Sequence, residues 1–211
     1  MRNISEKCVI LGHKNFNESD KLVFLYSDKF GRIKAIAKGA RKITSKFTGH
    51  LETLNICFVT LYFGPRNIII TELSQDEENI KIRENLEALS GALQIAEITN
   101  QLLFEGQGLE NLFKLIEKTL IHLSETKKPE LIALAYIVKL LDKTGFLPDF
   151  KETKVNLSIK YLKFLEYLKK EPLTKIEKIN LTSQEKKHIT EFLKSWIEQE
   201  TNKSFKSFFS I

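Results

Sequence analysis

The chain has 211 residues, of which 42% are hydrophobic and 28% charged, with a formal net charge of +6. An apolar fraction of this size is ordinary for a globular protein, and the length allows one large domain or two small ones. The longest apolar run, residues 131–138, is too short to span a bilayer, and the N-terminus has no signal-peptide hydrophobic region. We therefore expect a cytoplasmic protein. Its two cysteines, Cys8 and Cys57, are expected to be reduced thiols, with a disulfide between them as the less favoured alternative.

The positive charge is concentrated in the first third of the chain. Residues 1–75 contain 12 Lys and Arg against 6 Asp and Glu, whereas residues 76–211 contain 21 of each. A basic module joined to a neutral one explains this distribution better than a uniformly basic protein does. Basic modules attract nucleic acid or anionic membrane surfaces.

The first 75 residues show the pattern of a small β-barrel. Short apolar segments separated by turns predict five strands, and no long helix lies between them. The turn at residues 64–67 contains Pro65 and Asn67, both favoured at such positions. The predicted strands cover residues 4–14, 21–27, 32–38, 55–63 and 68–74.

The third predicted strand separates apolar from basic side chains. Ile33, Ala35 and Ala37 alternate with the basic residues and suit a tight barrel interior. Gly39 then allows a sharp turn into a basic loop. The opposite face and the loop contain the candidate phosphate contacts: Arg32, Lys34, Lys38, Arg41, Lys42 and Lys46. These residues favour a nucleic-acid surface about as strongly as a solvated edge strand whose lysines prevent aggregation.

From residue 76 onward the apolar spacing is helical. Leu86, Leu89, Leu93 and Ala96 predict one buried helix face, and a second apolar stripe runs over residues 109–123. A helix starting at Pro129 is apolar on most sides and is predicted to be the buried centre of a helical domain. Further helices are predicted over residues 158–169 and 183–200, and the acidic residues 75–79 suit a helix N-terminus.

Catalytic and metal-binding patterns are not found in the sequence. The four histidines are isolated, the cysteines lack metal-ligand spacing, and no nucleophile-elbow or phosphate-loop motif occurs. We therefore expect no enzymatic activity, no cofactor and no metal site. Tyr26, Phe30, Phe47 and Tyr62 lie near the charge and could stack on bases, whereas His50 is interpreted as an ordinary loop residue with stacking as the alternative.

Three parts of the chain resemble the bacterial DNA repair protein RecO family. The most specific part is the N-terminal series of an acidic turn, a glycine before the third strand and a Lys-Gly-Ala-Arg sequence after it. The matching segments are NESDKLV at 17–23, FG at 30–31, AKGARK at 37–42 with Ser45, LLDKTGFLPD at 140–149, and KSFKSFF at 203–209.

The resemblance implies an α+β protein of two domains. An N-terminal five-stranded OB-fold β-barrel would occupy residues 1–75, and an all-α helical bundle domain would occupy residues 76–211. It implies a recombination mediator that binds single- and double-stranded DNA and anneals complementary strands. Such a protein would work at the nucleoid with RecR and with the C-terminal tail of the single-stranded DNA-binding protein, and would indirectly help to load RecA.

One family feature is missing. Many members have a four-cysteine zinc site after the Gly-Phe-Leu-Pro segment, but residues 150–158 contain no cysteine, so no zinc is expected. The alternative function is an RNA-binding processing or modification factor with a small-barrel recognition domain. Such a factor would need acidic or histidine residues clustered in the helical domain, and the sequence shows no such cluster.

Overall fold

The computed structural model describes residues 3–47, 49–75, 82–150 and 157–205. The five strands are β1 (Asn3–Phe16), β2 (Asp20–Ser27), β3 (Gly31–Ala37), β4 (Ile56–Phe63) and β5 (Ile68–Gln75). The helices are α1 (Leu86–Leu102), α2 (Leu112–Glu125), α3 (Pro129–Thr144), α4 (Ile159–Lys170), α5 (Leu173–Ile176) and α6 (Ser183–Thr201).

The chain divides into two compact units. The barrel unit consists of the described residues of Met1–Lys81 and Thr99–Lys118, and the helical unit consists of those of Ile82–Ile98 and Thr119–Ile211. The boundary expected between residues 75 and 76 stays a prediction.

The five strands form a closed barrel in the order β1-β2-β3-β5-β4. Neighbouring strands are antiparallel except β3 and β5, which run parallel from the pair Ala35 and Ile68 to the pair Ala37 and Ile70. The barrel followed by helices confirms the predicted α+β architecture, and the barrel fits the predicted OB-fold.

The barrel interior is filled by alternate residues of each strand. Ile33, Ala35 and Ala37 lie in this core, as the alternation in β3 predicts. Cys8 and Cys57 face each other across the β1–β4 pair; both are buried, and no disulfide joins them. Burial raises the pKa of the Cys8 thiol above its ordinary value, because a thiolate would be poorly solvated there.

A segment from the middle of the chain covers the edge of β3. Residues 105–108 are called the edge segment here. The Arg32 N–H donates a 3.2 Å hydrogen bond to the Gln107 carbonyl, and the Arg32 carbonyl accepts a 2.8 Å hydrogen bond from the Gly106 N–H. Gly31 lies against this segment, and a Cβ there would come within 2.3 Å of the Gln107 carbonyl. The hydroxyl of Tyr26 also accepts a 2.9 Å hydrogen bond from the Leu109 N–H. The edge of β3 therefore has hydrogen-bond partners within the barrel unit.

The helical unit is organised around α3. All residues of α3 from Leu131 to Val138 are buried, which agrees with the prediction from its apolar sequence. Gly145 ends α3 in the left-handed conformation that glycine adopts without strain. At the start of α6, Thr182 and Glu185 form a reciprocal capping box.

The stripe predicted on α1 is wrong at two positions. Leu86 is 81% exposed and Leu93 is 39% exposed, whereas Ala88, Ala92 and Ile95 are buried. The reason is that small residues let a helix approach its neighbours closely, so the packed face of α1 is its alanine-rich face rather than its leucine-rich one.

Some predictions fall outside the described residues. The helix start expected within residues 75–79 lies mostly there, as do residues 151–156 of the cysteine-free segment and residues 206–209 of the tail motif. The short helix α5 was not predicted, because four residues carry too little periodicity. Within the described residues, no helix is both long and apolar enough to cross a membrane.

Candidate nucleic-acid interface

The basic loop, residues 38–46, begins with a turn that Asp20 holds in place. β3 ends at Ala37, and Gly39 has a φ of +68°, which a residue with a Cβ adopts only with strain. The Gly39 N–H donates a 2.8 Å hydrogen bond to Oδ1 of Asp20. This bond lowers the pKa of the Asp20 carboxyl below its ordinary value, with smaller contributions from neighbouring side chains that include the charge of Lys38. The start of the loop is therefore fixed to the start of β2.

Arg41 attaches the basic loop to the turn between β1 and β2. Its backbone N–H donates to the Ser19 carbonyl at 2.9 Å. Its guanidinium Nη1 donates to the carbonyls of Asn17 and Glu18 at 3.1 and 2.9 Å. The side chain is still exposed, so Arg41 can present its remaining N–H groups to solvent while it holds the loop.

Lys38 and Lys42 are loop cations whose ammonium groups are not held by the described residues, although the charge of Lys38 acts on Asp20. Both side chains are exposed, and neither forms a hydrogen bond or an ion pair with the part of the chain that the structure describes. Lys46 differs, because its Nζ donates to the Thr71 carbonyl at 2.5 Å and lies 5.4 Å from the centre of the Phe47 ring.

Arg32 and Lys34 lie on β3 and are more constrained. The Arg32 Nε donates to Oδ1 of Asn100 at 2.9 Å, and its guanidinium lies 5.4 Å from the centre of the Phe24 ring. Arg32 is half-buried, and this burial lowers its pKa from the ordinary value. Lys34 is half-exposed and pairs with Glu105 at 3.5 Å. That these six residues contact DNA stays a prediction.

His50 and possible metal ligands are the remaining candidates for a functional site. His50 is half-buried, and its Nδ1 has no hydrogen-bond partner among the residues that the structure describes. Among the described residues, no group of three or more His, Cys, Asp or Glu side chains could hold a metal ion.

Two family models match the chain in consecutive segments. The model for the N-terminal part of recombination protein O matches residues 1–74, and the model for its C-terminal part matches residues 83–156. The chain belongs to the RecO family.

Relatives named DNA repair protein RecO extend this comparison. The protein of Syntrophobacter fumaroxidans is 33% identical over 150 residues, which cover 70% of this chain and 59% of the relative. The protein of a Thermoanaerobacter species is 27% identical over 71% of this chain and 60% of the relative. That of Desulforamulus reducens is 26% identical over 231 residues, covering 94% of this chain and 90% of the relative. The chain thus spans about 60% of the length of two of these relatives and nearly all of the third.

Two of the RecO-like N-terminal segments are in contact in three dimensions. The acidic turn supplies Asp20 and the carbonyls of residues 17–19, and the Lys-Gly-Ala-Arg segment supplies the Gly39 and Arg41 donors that bind them. The glycine of the Phe-Gly pair, Gly31, is the residue that packs against the edge segment. Two of the resembling segments therefore hold each other in place in this RecO-family chain, and the third allows close backbone packing.

Sequence reasoning missed three polar residues at this surface. Asp20 was noted as part of the acidic turn but not as the acceptor for Gly39, although an aspartate followed by a strand is a common backbone acceptor. Asn100 and Glu105, the partners of Arg32 and Lys34, lie about 70 residues further along the chain. No local pattern links them to the barrel.

Proposed function

We propose that this chain acts in DNA repair and recombination as a mediator without enzymatic activity. In this proposal it binds single- and double-stranded DNA through the basic loop and anneals complementary strands. Together with RecR it would help to load RecA onto DNA coated with single-stranded DNA-binding protein. Family membership supports the general role, and the barrel unit supplies the candidate surface.

The observation that carries the proposal is the construction of the basic loop. Lys38 and Lys42 are exposed and form no hydrogen bond or ion pair with the described residues, while Asp20 and Arg41 fix the backbone that carries them. A loop that is already ordered loses little conformational entropy when it binds a phosphate backbone. Lysine ammonium groups on such a loop would contact phosphates without reading the sequence.

Annealing would follow from charge neutralisation. Two complementary single strands repel each other, and a surface that holds both reduces this repulsion and raises their local concentration. No covalent bond is made or broken, so the reaction requires no catalytic residue. The excess positive charge of residues 1–75 supports placing this step on the barrel unit.

A groove in the helical unit is our candidate for the tail of the single-stranded DNA-binding protein. α1, α3 and α6 border a cavity of about 450 Å³, lined by Leu134 and Gln94 among others. Its charged lining residues are Lys186, Lys187, Glu87, Glu130 and Glu191. The Nε2 of Gln94 is buried and has no hydrogen-bond acceptor in the described parts of the chain. An apolar, acidic peptide ending in a carboxylate would bring apolar side chains and oxygen acceptors to this groove.

Strand annealing tests the proposed function directly. Complementary labelled oligonucleotides, free or coated with single-stranded DNA-binding protein, are mixed with the full chain in EDTA and without nucleotide. We expect faster annealing than in the protein-free reaction. No acceleration, together with tight binding and processing of structured RNA, would favour the RNA-binding alternative.

A binding assay tests the proposed groove. We expect a labelled tail peptide to bind the full chain at low salt, and Lys187→Glu to weaken this binding because it places a like charge beside the peptide carboxylates. Lys163→Glu, an exposed change of the same charge on α4, is the matched control. Equal weakening by both variants would show that only net charge matters.

A further inference from the structure

A cavity of the barrel unit lies beside the first half of β3. Its volume is about 400 Å³, and its apolar walls are formed by Phe30, Ile33, Phe63 and Ile68. Lys29 and Glu105 are the charged groups at its border, together with the half-buried Arg32. The cavity is separate in sequence from the basic loop, which follows the other end of β3.

The cavity exists because β3 and β5 pair over only part of their length. Their parallel pairing starts at Ala35 and Ile68. Ahead of that point the edge segment bonds to Arg32 instead, through Gly106 and Gln107. The gap between the edge segment and the β4–β5 hairpin is thus framed by hydrogen-bonded backbone, which keeps it open without a ligand.

Two aromatic rings form the most distinctive wall. The ring centres of Phe30 and Phe63 are 5.1 Å apart and the rings are inclined by 47°. Both side chains pack against the barrel core while staying only partly buried. Rings held in this way offer a fixed apolar surface for stacking, and their burial against the core means that little entropy is lost when a planar ligand binds.

Two exposed charged side chains of opposite sign border the cavity. The Nζ of Lys29 lies 5.3 Å from the centre of the Phe30 ring, and the Lys29 side chain is exposed. Glu105 is exposed and pairs with Lys34. A phosphate is attracted to Lys29 and repelled by Glu105, whereas Glu105 can accept hydrogen bonds from the N–H groups at the edge of a base.

We propose that this cavity binds one unstacked nucleobase of single-stranded DNA, with its ring against Phe30 and Phe63 and its flanking phosphate at Lys29. The proposal rests on the proposed DNA-binding function and adds to it a site for bases. Paired bases in a duplex have no free face to offer, so the cavity would act only on single strands. The basic loop would then bind any phosphate backbone, and the cavity would add affinity for unpaired DNA.

An abasic oligonucleotide separates the two sites. A thymidine oligonucleotide and an abasic one of the same length carry the same phosphates, and only the first has bases to stack. We expect the wild-type chain to bind the thymidine strand roughly tenfold more tightly, the effect of one good base–aromatic contact. Phe30→Leu/Phe63→Leu keeps apolar volume but removes both rings, and should bind the two strands equally with an unchanged salt dependence. Phe192→Leu, in α6 of the helical unit, should keep the preference.

Photo-crosslinking covers the possibility that the double variant does not fold. A single strand containing 5-iododeoxyuridine is irradiated with the wild-type chain, and the linked peptide is identified by mass spectrometry. Crosslinks at Phe30 or Phe63 support the cavity, and crosslinks confined to other residues overturn it. Equal wild-type binding of both strands would also overturn the cavity while leaving DNA binding intact. Failure to bind either strand would overturn the proposed function itself.

Discussion

Removing the two unpaired lysines of the basic loop tests the candidate interface most directly. Lys38→Ala/Lys42→Ala deletes two exposed ammonium groups that have no hydrogen bond or ion pair with the described residues. Each phosphate contact contributes about −0.7 to the slope of log affinity against log salt for single strands. The double variant should therefore reduce the steepness of that slope by about 1.4. Between 50 and 200 mM salt, the wild-type affinity should fall about sevenfold more than that of the variant.

The folded structure should hardly change in this variant. Exposed substitutions away from caps and networks shift the free energy of unfolding by about 0.5 kcal/mol or less. Affinity for a fluorescent single strand is measured by anisotropy at four or more salt concentrations, with thermal melting as the folding control. Lys114→Ala/Lys118→Ala removes the same charge from exposed positions of α2 in the barrel unit. If both double variants gave the same slope, or if the loop variant kept the wild-type slope, the basic loop would not be the phosphate-binding surface.

Three further outcomes follow from the local geometry. Gly31→Ala should lower the free energy of unfolding, measured by urea titration, by about 3 kcal/mol or more, because the new Cβ would lie 2.3 Å from the backbone of the edge segment. Gly106→Ala is the control: Gly106 has a φ of +79° but open space around it, so the same titration should show a loss of about 1 kcal/mol. Thr182→Ala should cost about 1 kcal/mol through loss of the α6 cap, again by urea unfolding, and an unchanged midpoint would contradict this. In an NMR titration the pKa of the Asp20 carboxyl should lie below its ordinary value of 3.8. Because the Asp20 pKa is lower in the folded state than in the unfolded state, the ionised carboxylate stabilises the fold above pH 3.8, and this stability is lost as the pH falls through the folded-state pKa. Asp20→Ala should abolish this pH-dependent part of the free energy of unfolding.

The barrel could be predicted because its signals are local. Alternation of apolar residues, together with turn residues such as Pro65 and Gly31, marks each strand within a window of a few residues. The lack of intervening helices then predicts that the five strands form a small closed barrel. The buried helix α3 was predictable for the same reason, since its residues are apolar on most sides.

What could not be predicted depends on partners distant in sequence. Leu86 and Leu93 have the spacing of a buried stripe, yet the packed face of α1 is set by which small residues let its neighbours approach. The structural role of Arg41 depends on carbonyls of residues 17 and 18, and carbonyls carry no side-chain signal. A basic residue therefore has the same appearance in the sequence whether it is free to bind phosphate or already holds a loop.

The edge segment makes the order of protein synthesis relevant to the barrel. Strands β1–β5 are complete once Gln75 has been added, but the barrel unit also needs residues 99–118. At about 5 to 20 residues per second, a ribosome needs about 2 to 6 s to extend the chain from Gln75 to Gln107. Throughout that interval the first half of β3 lacks the partner that bonds to Arg32. In a nascent chain this stretch is an open strand edge, and it is the place where a chaperone would have to prevent pairing with a neighbouring polypeptide.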